Sequence, residues 1–406
     1  GAPEPAVIVA RSKGEGADLK SLLPALLARA RGKGGGAPDF LQIAAADAVV
    51  GRLLDELRRL GLYDRAIIVL LSDHGEGLND HGEEEHGVLL YREAIQVPLL
   101  LKLPAQRFGG QSASAPVSLI DVAPTIAGLL GLPAAAGWHG RSLLTSLAGE
   151  AAPRALYAET FYPRLHFGWS DLAAIVTADW QLVEGPDPEM FNFRNDPEQR
   201  RNVVLEERRA LAELRRELAR HDRRLAPPGA VDEEARKAMA ALGYLGSATV
   251  ATGAAPLPDP KTRVGSLVGL KASLQFTSRK EYGRAEAAIR QVLEQNPNMA
   301  DAWEFLGHTL VKMERPVEAL EAYRQALRVG NGSPHVAMAA ASLLFDFGRW
   351  SEAEEHARVA MVAHASFAHG LLARIALERR DLETADREAQ AAMGGDSSRV
   401  GPAITL

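Results

Sequence analysis

The run Ala66–Leu101 reads AIIVLLSDHGEGLNDHGEEEHGVLLYREAIQVPLLL. It opens on the apolar residues Ala66 to Leu71, rich in β-branched side chains. That predicts a strand buried on both faces, as in a parallel sheet flanked by helices. The chemistry then changes at Ser72, Asp73, His74, Gly75, Glu76 and Gly77. Adjacent side chains on a strand point to opposite faces, so Asp73 and His74 reach one point only if the chain leaves the strand there. Gly75 and Gly77 supply the freedom to do so. Ligands of open α/β sheets sit beyond the carboxyl ends of strands, where this pair falls. A carboxylate and an imidazole together make a good half-site for a divalent cation. His81 and His86 follow, so three of the eleven histidines lie within thirteen residues of Asp73. A zinc site of His81 and His86 alone has no i,i+4 helical signature behind it. Glu83-Glu84-Glu85 also admits a plainer reading, a solvated acidic turn.

Working outward, Ile43–Leu60 is predicted as a helix with Val50, Leu53, Leu54, Leu57 and Leu60 on one apolar face and Gly61 at its C′ position. Ile95–Leu103 reads as a second buried strand whose Pro98 suggests an edge or a bend. Val117–Leu130 follows as a helix, with Asp121 as a structural cap. Leu172–Val176 and Trp180–Glu184 read as a hairpin, and Leu205–Leu225 as a helix with a charged solvent face. Toward the start, Ala6–Ala10 reads as a short strand and Asp18–Ala30 as a helix. Gly34-Gly35-Gly36 lacks the Gly-Lys-Ser/Thr half of a phosphate loop and reads as a connector. His166, in an aromatic stretch, reads as a packed structural histidine.

The ordered series Gly51-Arg52-Leu53-Leu54, Ser72-Asp73-His74-Gly75-Glu76, His86-Gly87, Val97-Pro98-Leu99, Ser118 to Thr125 and Gly140-Arg141-Ser142-Leu143 resembles the C-terminal part of sulfatase-like hydrolases of the alkaline phosphatase superfamily. The resemblance covers about residues 40 to 245. It implies an α/β sheet flanked by helices, incomplete here, closed by a small antiparallel sheet. It also implies a metal-assisted hydrolase of sulfate, phosphate or phosphonate esters, with Asp73 and His74 as metal ligands. His86 falls where many of these enzymes carry a lysine, and is expected to neutralise charge on the anionic ester, with His81 in support. Histidine at position 74, where many members use asparagine, favours manganese or zinc over calcium. The family's nucleophile, in a Cys/Ser-x-Pro-x-Arg context, and two further acidic ligands have no counterpart here, so this chain by itself is expected to be inactive.

Beyond residue 262 the pattern is helical and repetitive. Ala285, Ala319, Ala353 and Ala385 mark equivalent positions, spaced by 34, 34 and 32 residues, the period of tetratricopeptide repeats. Trp303, Leu306, Gly307, Tyr323 and Ala326 complete the clearest copy. Such arrays bind a protein or peptide on their concave face. The expected organisation is a sulfatase-like α/β domain over 1–228, a linker with a short helix over 229–262, and an all-α repeat solenoid over 263–398.

In 406 residues, 47% hydrophobic and 24% charged, 46 basic against 52 acidic side chains give a net charge of −6. That argues against nucleic acid as the main partner. No apolar run reaches the roughly 20 residues that span a bilayer. Cysteine is absent, which excludes disulfides and thiolate metal sites. The chain begins at Gly1 rather than Met, and its compartment stays open. Two functions follow: a metal-dependent ester hydrolase with an interaction module, or a non-catalytic repeat scaffold carrying a degenerate sulfatase domain.

Overall fold

A computed structural model describes residues 7–8, 37–133, 135–150, 152–224, 256–330 and 333–394. The predicted helix at 18–30, the glycine connector and most of the linker lie outside them. The chain divides into two compact units: Gly1–Thr160 with Leu172–Arg223, and Phe161–Asp171 with Arg224–Leu406. Phe161–Asp171 thus groups with the helical unit, although it lies inside the stretch read as sulfatase-like.

In the first unit, helix α1 (Ala37–Arg59) leads toward strand β2 (Ile68–Leu71). Gly61, with φ 69°, ends α1, and paired bonds from Gly61 N to Arg58 O and Leu62 N to Leu57 O close its last turn. The expected apolar face is only partly covered: Leu54 is buried, while Leu53 and Leu60 are exposed. The first sheet has the order β2, β3 (Leu99–Lys102), β1 (Val7–Ile8), β4 (Ser112–Ala113).

This corrects the expected setting of β2. It runs antiparallel to β3, with Leu71 opposite Leu99, and Leu71 is 38% exposed. The chain returns from Ser72 to Pro98 through a long segment with one helical turn, Arg92–Ile95, and re-enters the sheet in the opposite direction. β3 is buried at every residue, antiparallel to β2 on one side and parallel to β1 on the other. Pro98 therefore stands just before an inner strand rather than on an edge.

Leu99, Leu101 and Leu103 build a core with Leu143 and Leu147, joined by Val122 and Leu129. These come from helices α2 (Val122–Leu129) and α3 (Leu143–Leu147), which cover that face. Asp121 ties α2 down. Its carboxylate accepts from Ser118 N at 2.8 Å and Arg141 N at 2.8 Å, and pairs twice with Arg154. Burial opposes its charge, but Arg154 and the two backbone N–H groups outweigh that and hold the carboxyl below its usual range. Asp121 is structural, as the sequence suggested.

The second sheet is the antiparallel meander β5 (Leu156–Thr160), β6 (Leu172–Val176), β7 (Trp180–Glu184), β8 (Glu189–Asn192). Ile175, Leu182 and Met190 on one face pack against Leu214 and Leu218 of α4 (Arg208–Leu218). The other face meets the loop after β2: Gln181 Nε2 donates to Leu90 O, and Thr160 Oγ1 to Gly87 O.

The second unit is built from helix pairs: α5 (Leu267–Ser278) with α6 (Tyr282–Gln295), α7 (Ala300–Lys312) with α8 (Pro316–Val329), and α9 (Pro334–Asp346) with the first part of α10 (Trp350–Glu378). The rest of α10 pairs with α11 (Leu382–Gly394). The marker residues Ala285, Ala319 and Ala353 are fully buried and Ala385 nearly so. Gly307 lies under the Tyr323 ring, where an added Cβ would come within 2.4 Å. Within successive pairs the helices turn at Lys280, Glu314, Gly348 and Arg380, all with φ near 60–70°. The shorter last spacing has a cause: the third and fourth pairs are joined by one kinked residue, His364 (φ −129°, ψ 44°). By length and composition α10 could cross a membrane, but it bends at His364 and buries Ala353, Ala357, Ala360 and Ala368 within the unit.

In the same unit, Trp169 is buried and its Nε1 donates to Asn296 Oδ1 at 3.1 Å. His166 is structural as expected: it stacks on Tyr162 and pairs with Asp301 at 3.0 Å.

Candidate metal centre

At the carboxyl end of β2 the backbone folds over its own side chains. Ser72 Oγ donates to His74 O at 2.6 Å, and His74 N donates to Asp73 Oδ1 at 3.1 Å. His74 Nδ1 stands 2.9 Å from Gly75 O. A carbonyl only accepts, so Nδ1 is the donor in that contact and Nε2 is the nitrogen left to face a ligand. That Nε2 is 3.7 Å from Asp73 Oδ1, a separation that two ligands of one cation can have, given metal–ligand bonds of about 2.0–2.4 Å.

The following segment is gripped along its backbone. Gly75 N and Glu76 N donate to Ala94 O and Glu93 O at 2.8 and 3.0 Å, and Gly77 N donates to Glu85 O at 2.7 Å. A Cβ on Gly75 would lie 1.9 Å from Glu93 O, and one on Gly77 2.3 Å from Glu83 O. The two glycines thus serve close backbone approach, and the left-handed turn falls on Leu78 and Asn79 instead.

The acidic run divides. Glu84 and Glu85 are exposed, but Glu83 is buried and accepts from Val88 N and Leu89 N at 2.8 and 2.9 Å. Burial raises its carboxyl above the usual range. The solvated-turn reading fails at that one residue.

His86 comes back to the strand end. Its ring stacks on His74 with centroids 3.6 Å apart, and its Nδ1 is 3.3 Å from Glu76 Oε2. One ligand atom each from His74, Glu76 and His86 lie within 4.8 Å of one another, a group that could hold a metal ion. Glu76 was not singled out from the sequence. Its place two residues after His74 in the same Asp-His-Gly-Glu run was the available signal.

His81 does not join them, which corrects its expected support of substrate. Its Nδ1 meets Glu93 Oε1 at 2.5 Å, its Nε2 meets Gln199 O at 3.1 Å, and its ring stacks on Tyr91. Both nitrogens face acceptors, so neither is free for an anionic ester. Burial opposes charging the ring, but the Glu93 carboxylate and the Gln199 carbonyl outweigh it and raise the pKa. His81 is held as a brace between Glu93 and Gln199. Tyr91, whose hydroxyl donates to Glu189 at 2.6 Å, carries the same brace to β8.

Residues 41–132 match the family model described as sulfatase, and residues 276–343 a tetratricopeptide-repeat model. The chain is a sulfatase-like α/β domain followed by tetratricopeptide repeats. Arylsulfatase K of Danio rerio is 27% identical over 174 residues, 41% of this chain and 33% of the relative. N-acetylglucosamine-6-O-sulfatase of Bacteroides thetaiotaomicron is 29% identical over 181 residues, 41% of this chain and 31% of the relative. The chain therefore spans about a third of the length of the curated relatives it matches. Among solved structures, the phosphonate monoester hydrolase of Agrobacterium radiobacter is similar at 23% identity with a TM-score of 0.39, over 44% of this chain and 39% of that one.

Proposed function

We propose that the first unit is the part of a metal-dependent sulfate-ester hydrolase that holds the cation and the anionic ester, and that the repeats hold a protein partner. The observation that carries this reading is the approach of Asp73 Oδ1 to His74 Nε2, at 3.7 Å, at the end of β2. Asp73 and His74 fit a divalent cation, calcium or, given the imidazole, manganese or zinc. When bound, such a cation supplies the charge that polarises the ester and its nucleophile. His86, half exposed above His74, is placed to neutralise the anionic ester oxygens. Phosphate and phosphonate esters share that charge and shape, so the substrate class is an anionic ester, with sulfate first.

No cysteine is present, and no serine stands in a Ser-x-Pro-x-Arg context, so the nucleophile of the sulfatase mechanism has no candidate among these residues. The 406-residue chain is therefore expected to hydrolyse aryl sulfates and phosphate monoesters no faster than its Asp73→Ala variant. Cation binding tests the site directly. Titration with calcium and with manganese should show a single site that Asp73→Asn removes. Unchanged binding in that variant would overturn the assignment.

A further inference from the structure

His74 has two sets of neighbours. Asp73 has a side chain that is 82% exposed, and its Oδ1 already accepts from His74 N. Glu76 and His86 with His74 bring three ligand atoms within 4.8 Å of one another, a group that does not include Asp73. With Nδ1 bonded to Gly75 O, His74 has only Nε2 to offer either set.

We propose that His74, Glu76 and His86 form a seat for a borderline divalent cation of the zinc class, separate from the Asp73–His74 pair and exclusive with it because both need the same nitrogen. Two imidazoles and one carboxylate are a donor set that zinc-class ions favour, whereas calcium and magnesium favour oxygen. Three protein ligands leave a fourth position of a tetrahedral ion open to water. The His74 and His86 rings are stacked, so one must turn to aim its in-plane lone pair at the ion; with the three side chains 42–44% exposed, that turn and bonds of about 2.0–2.2 Å do not require opening the core. The backbone beneath them is fixed, because Gly75, Glu76 and Gly77 are bonded to Ala94, Glu93 and Glu85. The site is thus built on a rigid floor with adjustable donors.

One consequence rests on the hydrolase reading. An ion in this seat takes His74 from the Asp73 pair and His86 from the ester, so zinc-class ions antagonise the calcium or manganese form. The seat itself stands without that reading.

The test is calorimetric titration of the whole chain with zinc chloride at pH 7.5, beside calcium and manganese, on the native protein and on Glu76→Gln, His86→Gln and Asp73→Asn. Zinc should bind with one-to-one stoichiometry. Loss of a ligand should cost at least the ~10-fold that loss of an outer-shell partner does, so Glu76→Gln and His86→Gln should each weaken zinc by that factor or more. Asp73→Asn should leave zinc within about twofold. Cobalt(II), read by its visible absorption, should lose intensity in the same two variants, which reports the ligands without any turnover. Unchanged zinc affinity in Glu76→Gln overturns the seat, as does equal loss in Asp73→Asn or the absence of zinc binding by the native chain. Calcium or manganese binding that depends on Asp73 but not on Glu76 would uphold the hydrolase reading whatever zinc does, so the two can fail separately.

Discussion

The repeats and the loop from Ser72 to Pro98 both bring backbone into close contact, by opposite means. In the repeats, small buried residues such as Ala319 recur at a fixed period, and Gly307 faces the side-chain ring of Tyr323. In the loop two glycines meet carbonyl oxygens: Gly75 against Glu93, Gly77 against Glu83. A side chain can retreat, whereas a hydrogen-bonded backbone cannot without dragging its partners. The loop is therefore the more brittle region, and the same glycine-to-alanine change should read very differently in the two.

The largest effect is expected at Gly75→Ala. The new Cβ would lie 1.9 Å from Glu93 O, so the bonds from Gly75 and Glu76 to Ala94 and Glu93 must break. Overpacking in a closed site costs about 1–3 kcal/mol, and a clash with backbone should exceed that range. Hydrogen exchange over 72–98 should rise strongly, and cation binding should be lost with it. Native-like protection of this segment would show that the loop can yield. Gly307→Ala comes next: its Cβ would sit 2.4 Å from Tyr323, a buried ring with some freedom to tilt. A loss of about 1–3 kcal/mol is expected in urea unfolding. Much of it should be absent when Tyr323→Leu is already in place, because the two changes share one contact.

The same contrast explains what the sequence disclosed. Ala285, Ala319, Ala353 and Ala385 announce their packing because a repeat must bury the same position each time. The turns at Lys280, Glu314 and Arg380 were silent, since φ near 60° is held there by residues without the usual glycine signal. In the first unit, motif order disclosed the sulfatase-like domain, and local pattern placed Asp73, His74 and His86 together. The apolar run of β2 told its conformation but neither the antiparallel direction of its partner β3 nor its place at the end of the described strand order. Glu83, Glu84 and Glu85 are chemically identical, and only the backbone N–H groups of Val88 and Leu89 decide which one is buried. His81 looked like its neighbours His74 and His86 until Glu93 and Gln199 took both of its nitrogens.

His81 gives the loop a pH dependence that the repeats do not share. Its folded pKa is raised above the ordinary histidine value, which is near 6.5 in the unfolded chain. The stabilisation is fully present below that value and is lost as pH rises through the folded pKa. Exchange over 72–98 should therefore quicken as pH rises above the ordinary histidine value, beyond the intrinsic chemical rate, and His81→Gln should remove that excess. An equal excess in the variant would assign the effect to another group.

The smallest effect has the opposite sign. Gly370 lies inside α10, and a Cβ there would meet nothing within 4 Å. Neither device applies to it: it faces no ring and no carbonyl, and it only adds backbone freedom to the unfolded chain. Glycine inside a helix costs roughly 0.5–1 kcal/mol relative to alanine, so Gly370→Ala should stabilise the repeats by that amount. Urea unfolding followed by helical circular dichroism should move to a higher midpoint with an unchanged slope. A lower midpoint would mean that the space beside Gly370 is used in the native state, and the division into glycines that face side chains, glycines that face backbone and glycines that face nothing would have to be redrawn.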